Sequence, residues 1–232
     1  MSTDILEIAH MGLEQMRRHP LNYYDWRVRR EIYGLLNVNS KSIPDRRHQS
    51  LAILAAEYVL PLYQPTEPDD RLVYQLLETA QAFIQNQIDI AKVDEIEEAG
   101  YNAAQWFGYD FEKDQWHYQS AHAGFAAYKA LVEVRHLIDP WEGIERLSKG
   151  DGVHRLGREP HPEGWTVGAE FTDDDWCNLA AFGDTASVAA FAYATSAEAD
   201  ECLPENLRDF WEWWVGVALP KALQVPSNAA YR

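Results

Sequence analysis

Cysteine is scarce in this chain. There are two in 232 residues, Cys177 and Cys202, and neither sits in a Cys-x-x-Cys pair or beside histidine. That excludes a disulfide framework and a thiolate-rich metal site, and it points to a reducing compartment, the cytoplasm. Long apolar runs are missing as well. The most apolar stretch, near 179–194, is broken by Gly183 and Asp184 and falls short of the roughly 20 residues a membrane-spanning helix needs. The opening MSTDILEIAH has no basic segment followed by an apolar one, so no secretory leader is expected. Positive charge is also in short supply: 20 Lys and Arg against 37 Asp and Glu give a formal net charge of −17. Phosphate backbones and anionic lipids would be repelled, so neither nucleic acid nor a membrane surface is an expected partner. G-x-S-x-G, the Walker loop, G-x-G-x-x-G and H-E-x-x-H are all absent. No catalytic residue is therefore assigned and no cofactor expected.

What is present is aromatic, acidic and helical in period. Nine Trp, twelve Tyr and eight Phe argue for a packed core. The acids are unevenly placed: residues 66–114 carry a net of −9 and residues 163–212 a net of −11, whereas residues 1–50 carry +2. Two acidic blocks suggest a negative face that would attract a basic partner and speed encounter with it.

Apolar residues recur at three- and four-residue spacing along most of the chain. Ile5, Ile8, Ala9, Leu13 and Met16 form the first stripe, closed by Arg17, Arg18 and Pro20. Further helices are expected at about 22–37, from Pro44–Asp45 to a stop at Pro61, at 69–87 and at 89–107, the last with Ile90, Val93, Ile96 and Ala103–Ala104 inward. GYDFEKDQ then reads as a loop before a long helix over 116–138, which Asp139–Pro140 ends. Residues 148–171 form a long irregular segment with a possible short strand at 165–171. Thr172 is an expected N-cap, with Asp173, Asp174 and Asp175 in the first turn of an Ala-rich helix to 195. The last helix covers about 205–223, with Phe210, Trp213, Trp214 and Val217 inward, Trp211 off the stripe and Pro220 interrupting its end. The whole reads as one all-α domain, a bundle of about seven to eight helices over 1–232, its core at about 4–223 and a flexible tail after it.

Candidate chemistry is thin. Glu-x-x-His occurs twice, as Glu7–His10 and Glu133–His136, the spacing that builds carboxylate-bridged metal sites in helical bundles. Both pairs fall opposite their helix's apolar stripe, so they read as solvated faces and no metal is assigned; a metal-binding bundle or enzyme using them is the alternative. His154 and His161, with Glu159, Glu163 and Glu170 nearby, read as surface loop residues. Cys177 reads as a packed thiol. Arg27, Arg29 and Arg30 beside Trp26 and Tyr33 resemble a nucleic-acid patch, but in so acidic a chain an acidic helix within the protein is the expected partner.

One family resemblance follows from the order of motifs over about 25–225. These are Arg29-Arg30-Glu31-Ile32-Tyr33-Gly34-Leu35-Leu36, Tyr58-Val59-Leu60-Pro61-Leu62-Tyr63, Pro68-Asp69-Asp70, and Ala126-Ala127-Tyr128-Lys129-Ala130-Leu131-Val132-Glu133. Thr172-Asp173-Asp174-Asp175-Trp176-Cys177 and Phe210-Trp211-Glu212-Trp213-Trp214 with Ala218-Leu219-Pro220 complete the series. The chain resembles the fifth numbered family of all-α immunity proteins of bacterial polymorphic toxin systems. The resemblance implies a protein that binds and neutralises a cognate toxin, and it carries no catalytic residues. An acidic inhibitor suits a toxin with a basic cleft, such as a nuclease. The expected contact residues are Asp94, Glu95, Glu97, Glu98, Asp173, Asp174, Asp175 and an exposed Trp211. An adaptor or scaffold in another complex is the remaining alternative.

Overall fold

A computed structural model describes residues 2–19, 22, 24–40, 43–65, 71–137, 184–196 and 203–227. The fold is all-α, with a single two-stranded hairpin among the described residues. In chain order the helices are α1 (Ser2–Arg18), α2 (Trp26–Leu36), α3 (Arg46–Val59), α4 (Leu72–Ile84), α5 (Ile90–Ala104), α6 (Tyr118–Arg135), α7 (Thr185–Ala194), α8 (Pro204–Trp213) and α9 (Leu219–Gln224). Strands β1 (Tyr109–Asp110) and β2 (Gln115–Trp116) lie between α5 and α6. No described helix is long and apolar enough to cross a membrane.

Aspartate starts four of these helices. The carboxylates of Asp25, Asp45, Asp89 and Asp184 accept from the backbone N–H groups of Arg27, Arg47, Lys92 and Ser187 at 2.8, 3.0, 3.0 and 3.1 Å. Each satisfies a donor that the first helical turn leaves without a partner, and each sets a negative charge against the positive end of the helix dipole. Part of the acidity of the sequence is thus spent on helix starts. The Asp25 cap also begins α2 four residues later than its aromatic spacing suggests. Pro61 closes α3 as its missing N–H requires, in a 3₁₀ turn over Leu60–Leu62.

Helix α6 is central and packs against α3, α4, α5 and α7. Its inner side is built of Ser120, Ala123, Gly124, Ala126, Ala127 and Ala130, and α7 answers with Ala186, Ala189, Ala190, Ala192 and Ala194, all buried. Small side chains let the two backbones approach closely. Large residues from the flanking helices, Ile32, Leu36, Leu51, Leu76, Phe210 and Trp214, fill the remaining space. The Ala-rich helix is central, as its composition suggests, but the described part starts at Asp184, which caps it.

The C-terminal helix does not stop at Pro220. The chain widens into a π-helical turn over Trp214–Ala218, with the Leu219 N–H donating to the Trp214 carbonyl, and then resumes as α9 with Pro220 in its first turn. Proline supplies no N–H and its ring collides with the carbonyl four residues back in an α-helix, and the widened turn absorbs this. The buried stripe is Leu207, Phe210, Trp211, Trp214, Val215, Ala218, Leu219 and Ala222. Against expectation, Val217 is exposed, Trp213 is only half-buried and Trp211 is 2% exposed.

Candidate interaction surface

The interior holds more charge than the apolar stripes imply. Arg29 of α2 donates from Nε to Asp184 Oδ1 at 3.2 Å and from Nη1 to the Tyr24 carbonyl at 2.6 Å. Its guanidinium lies 4.9 Å from the ring centre of Trp211, and Tyr24 stacks on the same indole at 5.1 Å. Trp211 is therefore an internal platform for an arginine and not an exposed anchor. Arg29 meets an acid within the protein, as its setting suggested, but the acid is a helix cap.

Glu133 also departs from expectation. It is 1% exposed. Its Oε1 accepts from the Thr185 N–H at 2.5 Å, at the start of α7, and its Oε2 lies 3.5 Å from His48 Nε2. The side of α6 that appeared solvated is covered by α3 and α7, because an alanine-lined helix is buried almost all round and no longer obeys a single stripe. The tautomer of His48 follows from its neighbour. Asn37 uses Oδ1 to accept from the Asp45 N–H at 2.8 Å, so its Nδ2 faces His48 Nδ1 at 2.6 Å. Nδ1 must accept, and Nε2 carries the proton toward Glu133. Tyr33 packs on His48 at 4.3 Å. Burial, reinforced by the nearby carboxylates of Asp184 and Glu133, pushes its phenol well above the usual tyrosine range and keeps it neutral. These groups tie α2, α3, α6 and α7 together, and Arg29, His48, Glu133 and Asp184 are each at most 4% exposed.

The two Glu-x-x-His pairs do not converge. Glu7 and His10 are exposed on α1, where His10 Nδ1 bonds the Leu6 carbonyl at 2.7 Å. His136, just past α6, lies 3.7 Å from Glu97. Among the described residues no three His, Cys, Asp or Glu side chains form a metal-holding group. Asp173, Asp174, Asp175, Thr172, Trp176, Cys177, Cys202, His154, His161 and the 148–171 segment lie outside the described residues.

The acids of α5 do form a surface. Asp94, Glu95 and Glu98 are exposed and Glu97 is half-buried. Some of this charge is matched locally: Arg135 of α6 reaches Glu97 at 2.8 Å and also pairs with Asp94, and Lys92 holds Glu95 at 2.9 Å. Asp94, Glu98 and Tyr101 stand at i, i+4 and i+7 and so share one outer line of the helix. The opposite side is pinned inward by Val93 and by Gly100, where an added Cβ would come within 2.6 Å of Leu76 and 2.9 Å of Tyr128.

Beyond α5 the chain enters an aromatic hairpin, over residues expected to form a loop. Tyr109 pairs with Trp116 and Asp110 with Gln115 across an antiparallel register, and residues 111–114 make the turn. Asp110 caps the turn, accepting from the Glu112 and Lys113 N–H groups at 3.0 and 3.1 Å, and Lys113 holds its carboxyl below the usual range. Gly108 mounts the hairpin on α6. Its φ is +77°, its carbonyl accepts from the His117 N–H at 2.7 Å, and a Cβ there would lie 2.6 Å from the Ala121 nitrogen and the His117 oxygen. Phe107 turns inward onto Gly124, while its neighbour Trp106 turns out.

The outward rings touch one another. Trp106 lies 5.5 Å from Phe111, Tyr109 4.8 Å from Phe111 and Tyr109 5.0 Å from Trp116. Tyr101, Trp106, Phe111 and Trp116 are 70, 47, 66 and 37% exposed, four of the nine large apolar residues left exposed among those described. A two-stranded hairpin needs some cross-strand packing to persist, and Tyr109 with Trp116 supplies it. The exposure of Phe111 and Tyr101 goes beyond that need and has the character of a recognition surface. The available signal was aromatic density, with Trp106, Phe107, Tyr109 and Phe111 before the polar Glu112-Lys113-Asp114 and Trp116 and Tyr118 after it.

Compared with known proteins, the chain matches no family model and no curated protein.

Proposed function

We infer that this chain is an immunity protein: it binds a cognate toxin and blocks its active site or the approach of its substrate. The observation that carries the reading is the acidic outer line of α5, followed along the chain by an exposed aromatic hairpin that Gly108 seats against α6. Aromatic rings supply large contact area at low entropic cost, and carboxylates around them select a basic counterpart and steer its approach. Residues 89–116 hold eight acids and two lysines, a net of −6. A toxin that grips nucleic acid presents a basic cleft, and this surface would occupy it where the phosphates otherwise lie. The expected contacts Asp94, Glu95, Glu97 and Glu98 belong to this surface; Trp211 is replaced in that role by Trp106, Phe111 and Trp116.

Co-expression tests the reading. Cells producing the product of the gene directly upstream should die without this chain, survive with it, and yield a stoichiometric complex. Survival without a complex would favour an indirect role, and the absence of both rescue and complex would remove the immunity reading. A complex formed with a harmless partner would instead favour an adaptor.

A further inference from the structure

The interior of this protein contains a worked instance of arginine recognition. Arg29 has an indole face on one side, that of Trp211 at 4.9 Å, and a carboxylate, that of Asp184, at 3.2 Å. Near Trp26, the guanidinium groups of Arg27 and Arg30 lie 5.8 and 6.0 Å from the ring centre. The hairpin and the helix before it carry the same two components, rings and carboxylates, in the open. Trp106, Phe111 and Trp116 offer exposed rings, and Glu98, Glu112 and Asp114 are exposed acids on the same helix-and-hairpin unit. The arginine for these three acids is missing: residues 89–116 contain Lys92 and Lys113 but no arginine, and Arg135 of α6 pairs with Asp94 and Glu97 instead.

We propose that the partner supplies it, and that the α5–hairpin surface is a docking site for arginine side chains of a basic protein, stacked on the hairpin rings and paired with the adjoining carboxylates. A guanidinium is planar, weakly hydrated and able to stack and form a two-pronged ion pair at once, whereas an ammonium is a compact, strongly hydrated charge. The surface therefore prefers arginine to lysine at equal charge. A second copy of this chain is disfavoured, because its own segment of net −6 would face the same charge. The proposal rests on the surface being an interface and does not require the partner to be a toxin.

The test uses the full chain and two synthetic 12-residue peptides, one with six arginines and one with six lysines, otherwise alternating serine and glycine. Titration followed by NMR should show the arginine peptide binding about five- to tenfold more tightly, the factor expected of a partly desolvated cation–ring contact. The indole N–H signals of Trp106 and Trp116 should shift. Phe111→Ser and Trp106→Ser alter exposed side chains, and their thermal melts should match the parent. Both should abolish the arginine preference while leaving the weaker, salt-sensitive attraction common to both peptides. Equal affinity for the two peptides would overturn the proposal, as would an arginine preference untouched by the ring substitutions. So would a dimer on sedimentation that Phe111→Ser dissolves, since a second copy would then be the occupant. Rescue of cells by the parent and ring variants alike, together with equal affinity for the two peptides, would refute this site while leaving the immunity reading intact. Failed rescue by the parent chain itself, beside a ring-dependent arginine preference, would do the reverse.

Discussion

Replacing Arg29 by methionine separates a structural charge from a surface one. The side chain is 2% exposed and its partner Asp184 is fully buried. Methionine keeps much of the volume but removes the ion pair with Asp184, the donor to the Tyr24 carbonyl and the stacking on Trp211. Asp184 would retain its bonds from the Ser187 N–H and hydroxyl, yet its charge would lie in the core with no cation. Breaking a buried pair by removing one partner costs about 3–5 kcal/mol. A carbonyl left unsatisfied adds about 1–3 kcal/mol, although part of this is recovered by relaxation. The expected loss is about 4 kcal/mol, read as a lower urea midpoint at constant slope. Removing both charges should be far milder. Arg29→Met with Asp184→Asn keeps a helix cap and leaves no uncompensated charge, so the double variant should lose about 2 kcal/mol less than the single one. A single-variant loss below about 1 kcal/mol, the range of solvent-exposed pairs, would refute the buried network as described.

Two further outcomes follow from local geometry. Gly108→Ala meets a positive φ and two backbone atoms at 2.6 Å; it should cost about 1–3 kcal/mol and speed hydrogen exchange of the His117 amide, which bonds Gly108, more than that of amides in the middle of α6. Uniform exchange across both regions would show that the hairpin is not held there. Asp45 is drawn below its ordinary value: burial opposes this, but hydrogen bonds from Arg47 and Ser227 outweigh it. Its contribution is therefore complete above the unfolded value near pH 3.9 and fades as pH falls through the lower folded one. Asp45→Asn should flatten the acid limb of the stability curve below about pH 4, at a cost of about 1 kcal/mol at neutral pH; an unchanged acid limb would contradict the assignment.

The helices were legible wherever one face is buried and the other wet. Ile5, Ala9, Leu13 and Met16 line the core as their spacing predicts, and Pro61 ends its helix. Legibility failed where a helix is enclosed on several sides. Glu133 sits among small residues that leave room for other helices all round, so the stripe of large apolar groups indicated the wrong exterior. Trp211 was misplaced for a related reason: α8 is contacted by Tyr24 on one flank and by Tyr58 on another, which widens its buried arc. Ile90 was expected inward but starts its helix and is 47% exposed. The acids of α5 were visible from composition alone. The hairpin beside them was not, because two-residue strands carry too little alternation to register, and its placement depends on Gly108 docking against a helix still to come in the sequence.

The widened turn at Trp214–Ala218 sets the phase of everything that follows it. A helix advances about 100° per residue, and one surplus residue taken up in a π turn delays that rotation by roughly one step. Deleting the exposed Gly216 would restore a regular spiral on paper. A regular α-helix that kept every residue would instead swing Leu219 and Ala222, both fully buried, round toward water and bring Lys221 toward the core. The widened turn thus works like slack taken up in a rope: it stores one residue so that the segment beyond it still meets the core with its apolar side.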